Sequence, residues 1–274
     1  MWRFLALAVL ALPLSAASLA IVNAAVHESE GGPVANSSTQ FVAGETVYLD
    51  FQLTGYHVSP DQKIKLSVHI DAFDPKGVLV VESIDTVLDT VVSPQDKDWK
   101  PKVRQSIVLP PIVPSGEFHI KAAVEDDVSH DKAAADIAFH VTAPQVEASP
   151  ELTLRNFNFY RGEDDPAPLP VAAYRPGDAL FARFDITGFR YGDRNTVNVS
   201  YGVSVLTSAG KVLYTQPEAA VENSFSFYPK PYVPGAMNLS LQKNMPLGEY
   251  TLVVNARDLV GKQTCEVKKT FRLE

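Results

Sequence analysis

The chain has a single cysteine, Cys265, among 274 residues. No internal disulfide can form, so each folded unit must hold by packing alone, whatever the redox compartment. A lone thiol could join two chains or act as a nucleophile, but Cys265 lies in an expected strand with no histidine beside it in sequence. The favoured reading is a small, partly buried hydrophobe. Basic runs are missing too: 24 Lys and Arg stand against 32 Asp and Glu, for a formal charge of −8. Nothing interleaves Lys or Arg with aromatics in the way a phosphate backbone requires, so no nucleic-acid partner is expected. There is no Gly-x-Ser-x-Gly elbow and no His-Glu-x-x-His helix. Paired carboxylates leave no such signature, but no expected cleft gathers any, and the chain reads as non-catalytic.

What is present favours strands. Hydrophobic residues make up 46% and charged residues 20%, with 20 Pro and 15 Gly; Val, Thr, Phe and Tyr are plentiful, as sheets and turns demand. The first residues read as an export signal. Arg3 is the only early positive charge, Phe4 to Leu14 is apolar, and the small residues Ser15, Ala16, Ala17, Ser18 and Ala20 follow. The alternative is an uncleaved anchor, since Phe4 to Val22 carries no charge and is about long enough to span a bilayer if Pro13 is tolerated. No Cys follows the run, so a bacterial lipoprotein anchor is excluded. With the signal removed, no stable membrane span is expected, and the location is secreted or periplasmic.

The chain reads as a duplication. At a spacing of 133, Gly44 falls on Gly177, Phe51 on Phe184, Thr54-Gly55-Tyr56 on Thr187-Gly188-Phe189 and Gly77 on Gly210. At 132, Pro114 meets Pro246, Gly116 meets Gly248, Phe118 meets Tyr250 and Asp126 meets Asp258. One loop deletion between two copies of one fold accounts for the slip. The expected organisation is a signal peptide over 1–20, a first domain over 21–143, a Pro-bounded linker over 144–150 and a second domain over 151–274. The alignment also runs upstream, with Leu152 on Leu19, so cleavage after Ala17 or Ala20 preserves more of the first strand than cleavage after Ala24.

Within the first copy, strands are expected near Leu19 to Glu28, Glu45 to Thr54, Lys63 to Phe73, Val78 to Ser83, Val103 to Leu109, Glu117 to Glu125 and Ala135 to Thr142. Alternation puts Val47, Leu49, Phe51 and Leu53 on one face, and Ile64, Leu66, Val68 and Ile70 likewise. The fold class expected is all-β, two tandem immunoglobulin-like antiparallel sandwiches. In the last strand the parity of Cys265, Val267, Phe271 and Leu273 would put Lys269 inside, which predicts a bulge or edge position near Lys268.

From Leu241 to Tyr250, an apolar residue, a Pro-Gly corner and a Tyr open the penultimate strand, and here the chain resembles the fibronectin type III and related immunoglobulin-like sandwiches. The resemblance implies that the Tyr250 hydroxyl bonds back to nearby backbone, whereas Phe118 in the first copy must rest on packing. It implies a fold and a tendency to bind, not a reaction.

Two sets of residues stand out as candidate sites. All six histidines lie in the first copy. Parity places His69, His119 and His140 on the outward face of three neighbouring strands, and a reversal at Ser129-His130 would set His119 directly across from His140. Two imidazoles so placed can share zinc or copper, with Asp71 adding a carboxylate; otherwise they are solvated face residues, and no cofactor is needed. The second set is the aromatic loop Phe225-Ser-Phe-Tyr-Pro-Lys-Pro-Tyr232, in which Phe225, Phe227, Tyr228 and Tyr232 could contact a protein or a carbohydrate; the alternative is a loop packed across one end of the sandwich. Glu125-Asp126-Asp127 and Glu163-Asp164-Asp165 invite calcium but lack the spacing of a calcium loop. Asn36, Asn198 and Asn238 begin Asn-x-Ser sequons, usable in a host that glycosylates.

The reading is a secreted or periplasmic binding or scaffold protein, with a protein or carbohydrate partner on the cell surface or in the envelope. The alternatives are a metal-binding protein using the histidines and a hydrolase accessory domain.

Overall fold

The computed structural model describes residues 18–96 and 98–274; the apolar core of the expected export signal lies outside them. Among the described residues the first unit has eight strands: β1 (Ala20–His27), β2 (Gln40–Val42), β3 (Thr46–Thr54), β4 (Lys63–Phe73), β5 (Ile84–Val91), β6 (Lys102–Val108), β7 (Gly116–Asp126) and β8 (Lys132–Thr142). They form two sheets, ordered β1-β3-β6 and β2-β8-β7-β4-β5. The second unit repeats the scheme with β9 (Thr153–Tyr160), β10 (Ala173–Tyr174), β11 (Ala179–Thr187), β12 (Val197–Thr207), β13 (Val212–Ser224), β14 (Val233–Ser240), β15 (Gly248–Asp258) and β16 (Gln263–Leu273). Its sheets run β9-β11-β14 and β10-β16-β15-β12-β13. The protein is all-β, two sandwiches in tandem.

The alternation predicts the core. Val47, Leu49, Phe51 and Leu53 on β3, and Ile64, Leu66, Val68 and Ile70 on β4, are all at most 2% exposed, and each contributes roughly 1.5–3 kcal/mol by leaving water. The register repeats between the units. Leu66 faces Asp126 in the first unit as Val199 faces Asp258 in the second. The backbone repeats its unusual conformations as well: Asn23 and Asn156 take φ of 54° and 50°, each at a register break where the first strand of its unit bulges. There the Asn23 amide donates to Gln52 Oε1 at 2.9 Å, and the Asn156 amide to Asp185 Oδ2 at 2.8 Å.

Each β7–β8-type hairpin is held by a buried aspartate. Asp126 Oδ2 accepts the His57 N–H at 2.6 Å, and Oδ1 accepts those of Val128 and Ser129 at 2.9 and 3.3 Å. Asp258 does the same for Arg190, Val260 and Gly261 at 2.8, 3.0 and 2.9 Å. The corner tyrosine behaves as the resemblance implies: the Tyr250 hydroxyl donates to Pro246 O at 2.6 Å. Phe118, with no hydroxyl, packs instead against Phe139 with ring centroids 5.7 Å apart.

Two sequence expectations need correction. Val78 to Ser83 is not a strand: it makes a single bridge, Phe73 to Leu79, with the Val80 N–H on Ala72 O at 2.9 Å, and ladder pairing with β4 starts only at Ile84. Buried Val80 and the Ser83 hydroxyl, bonded to Asp71 at 2.6 Å, hold this segment. Near Lys268 the edge position expected as the alternative to a bulge is the one found: β15 and β16 pair without interruption, and β10 covers β16 only at Arg272 and Leu273. Lys269 keeps its inward parity and carries its ammonium to the sandwich rim, where it donates to Phe157 O and to Asn158 Oδ1 on β9. The second correction, to the β7–β8 register, bears on the histidines.

Candidate recognition surface

The outward face of the first unit's five-stranded sheet is a lattice of histidines and carboxylates. His119 lies opposite Ala138, not His140, and His140 lies opposite Glu117. The register differs from expectation because the turn starts at buried Asp126, whose N–H bonds Asp131 O and whose carbonyl accepts the His130 N–H. His130 takes the left-handed conformation, φ 62°, to close it.

The three predicted histidines therefore share a face without converging. His69 Nδ1 is 2.7 Å from Asp85 Oδ1 and its Nε2 is 3.2 Å from Asp71 Oδ2. The Asp85 hydrogen bond, helped by the Asp71 charge, holds the imidazole pKa above the ordinary histidine range. His119 sits 2.8 Å from Asp136 and 3.4 Å from Glu117, and His140 lies 3.8 Å from the other Glu117 oxygen. Among the described residues no three His, Cys, Asp or Glu side chains form a metal-holding group. Asp126 of the first acidic cluster is committed to backbone N–H groups.

Beside His69 the face dips into a depression of about 640 Å³, where Ala123 and Ala134 leave room between Asp85, Glu125 and Lys132. Pairing explains the dip: His69, Ala123 and Ala134 are adjacent in one row across β4, β7 and β8, and two small side chains in a row cannot fill the space their neighbours enclose. The second unit has a depression of about 480 Å³ at the matching place, bordered by Gly202, Asn255, Arg257, Thr264 and Glu266. Sequence reading missed both depressions; the signal for the first was Ala123 and Ala134 on the outward parity of β7 and β8. Cys265, on the inward parity behind the second depression, is half-buried, and burial raises its thiol pKa.

The aromatic loop splits between two environments. Phe225 and Phe227 are 67% and 48% exposed, whereas Tyr228 and Tyr232 are 5% and 8% exposed. Arg194 stands over the Phe225 ring at 5.1 Å, and the Asn195 amide donates to Phe227 O at 2.7 Å. Tyr228 packs into the core of the first unit. Its hydroxyl donates to Asp74 Oδ2 at 2.8 Å, and burial together with the Asp74 carboxylate pushes the phenol pKa upward.

No helix among the described residues is long and apolar enough to cross a membrane. No protein-family model matches the chain, and no curated protein matches it. Among solved structures, the C-terminal domain of the Streptococcus agalactiae AgI/II polypeptide BspA is similar at a TM-score of 0.34 and 12% identity, covering 93% of this chain and 99% of that one. The C-terminal domain of the Streptococcus pyogenes antigen I/II-family protein AspA gives 0.33 and 9%, covering 94% and 99%.

Proposed function

We propose that the chain is an exported, non-catalytic recognition protein that binds a protein or carbohydrate partner of the cell surface or envelope through the outward face of its first five-stranded sheet. The observation that carries this reading is the paired depression. Core positions keep their apolar character between the copies, as with Phe51 and Phe184 or Val124 and Ala256. The residues around the depression change outright: Ala123 becomes Asn255, Glu125 becomes Arg257, Lys132 becomes Thr264 and Ala134 becomes Glu266. The sandwich needs its core and leaves the outward face free for contact chemistry. The leader composition supports export, and Leu19, 5% exposed in the core, supports a mature chain that keeps it, as cleavage after Ala17 would.

The test is a binding survey with the mature, untagged protein against envelope polysaccharides and extended peptides, repeated with Ala123→Glu. Saturable binding weakened tenfold or more by that substitution supports the reading. Binding to none of these, or binding indifferent to position 123, counts against it. A zinc or copper titration run alongside checks the histidines: stoichiometric uptake abolished by both His119→Ala and His140→Ala would replace recognition with metal handling.

A further inference from the structure

The turn from Asp74 to Val78 has a counterpart from Thr207 to Lys211, and the two backbones are matched bond for bond. The N–H groups of Asp74 and Gly77 bond Val78 O and Asp74 O at 2.9 Å, as those of Thr207 and Gly210 bond Lys211 O and Thr207 O at 2.9 Å. In each turn the first side chain also accepts a downstream N–H: Asp74 Oδ1 takes those of Lys76 and Val78 at 2.8 Å, and Thr207 Oγ1 takes that of Lys211 at 3.2 Å. One acceptor is therefore enough for the turn. The carboxylate of Asp74 has a second oxygen that the turn does not use, and the Tyr228 hydroxyl occupies it.

The loop that carries Tyr228 is braced from its own side. The Tyr191 hydroxyl donates to Lys230 O at 2.6 Å, and the Lys230 ammonium bonds Glu222 and Ser224 at 2.7 and 2.9 Å. On the receiving side, Asp74 is 3% exposed, and Pro75 closes against Gly116 so tightly that a Cβ there would lie 2.7 Å from Pro75 Cγ. A tyrosine from one sandwich thus enters the core of the other and finds the buried acceptor its hydroxyl requires.

We propose that Tyr228 and Asp74 form a latch that docks the second sandwich on the first in one orientation, and that the two copies have diverged so that the latch closes only once. The first copy carries the acceptor but has Gln95 and Asp96 where the plug would be; the second carries the plug but has Thr207 where the acceptor would be. A head-to-tail contact with both halves on every copy could propagate from chain to chain. With the halves divided between the copies, the pair is a closed unit, and the first unit's outward face is held at a fixed angle to the second's.

The test uses the mature full chain with Asp74→Thr, which installs the residue that serves the matching turn, and with Tyr228→Ser. Linker cleavage by a protease acting over 144–150, small-angle scattering, and hydrogen exchange at the β7 and β15 amides are measured together. The expected result is cleavage at least tenfold faster and a longer maximum dimension in both variants, with β7 and β15 protection retained. Unchanged cleavage and dimension in both variants would overturn the latch. Protection lost throughout either sandwich would overturn it too, by showing that the pair supports the fold rather than the docking.

Discussion

Phe51 and Phe184 occupy matching places in the two sandwiches, and so do His69 and Gly202. The first pair is buried in both units and is interchangeable in kind. The second pair has nothing chemical in common. At His69 the sheet presents an imidazole between two carboxylates; at Gly202 the neighbouring strand breaks register and comes so close that Pro217 O would lie 2.3 Å from a Cβ. The difference separates what the fold demands from what it leaves free: an inward position sets only volume and apolarity, while an outward one takes whatever the surface is used for.

The largest expected effect tests the sameness of the two units. Asp126→Ala and Asp258→Ala each strand several buried backbone N–H groups, and each should cost about 3 kcal/mol or more in chemical denaturation. Similar losses in both variants support equivalent caps; a loss confined to one would break the correspondence. Next comes Gly202→Ala, which should cost about 1–3 kcal/mol because its methyl meets backbone, whereas His69→Ala, with an exposed ring, should cost less than about 1 kcal/mol. Equal costs would contradict the contrast. Tyr250→Phe should remove about 1 kcal/mol and make the second corner rest on packing as Phe118 does; no loss would show that the hydroxyl bond to Pro246 does not matter.

The smallest effect separates the units by pH. The folded pKa of His69 is raised by Asp85 and Asp71, so its contribution is fully present below the unfolded histidine value of about 6.5 and is lost as pH rises through the higher folded value. The exposure of the pair keeps the contribution to a few tenths of a kcal/mol. An NMR titration of the His69 ring should give a midpoint above that of a free imidazole, and the shift should fall in Asp85→Asn. The second unit has no histidine and supplies the flat control.

Much of the fold was legible because a period of two reports which side of a strand is wet, and because the repeat made each half a check on the other. Partner choice was not legible to the same degree. The histidine register depended on where buried Asp126 starts its turn, and alternation contains no such information. Lys269 misled because parity treats a long side chain as a point, while its stem lies inside and its ammonium reaches the carbonyl of Phe157. The aromatic loop stood out by composition, but whether Tyr228 faced solvent or the other sandwich rested on an acceptor 154 residues away, and local sequence cannot signal that.

The most direct test of the account is an exchange of faces. Replacing Ala123, Glu125 and Ala134 with their second-unit counterparts, as Ala123→Asn, Glu125→Arg and Ala134→Glu together, alters the depression and leaves the core untouched. The account predicts a circular dichroism spectrum and a denaturation midpoint close to wild type, with binding of the surface partner reduced tenfold or more. Binding at wild-type strength in the exchanged protein, or a first unit that no longer folds, would contradict the separation of face from fold on which the proposed function rests.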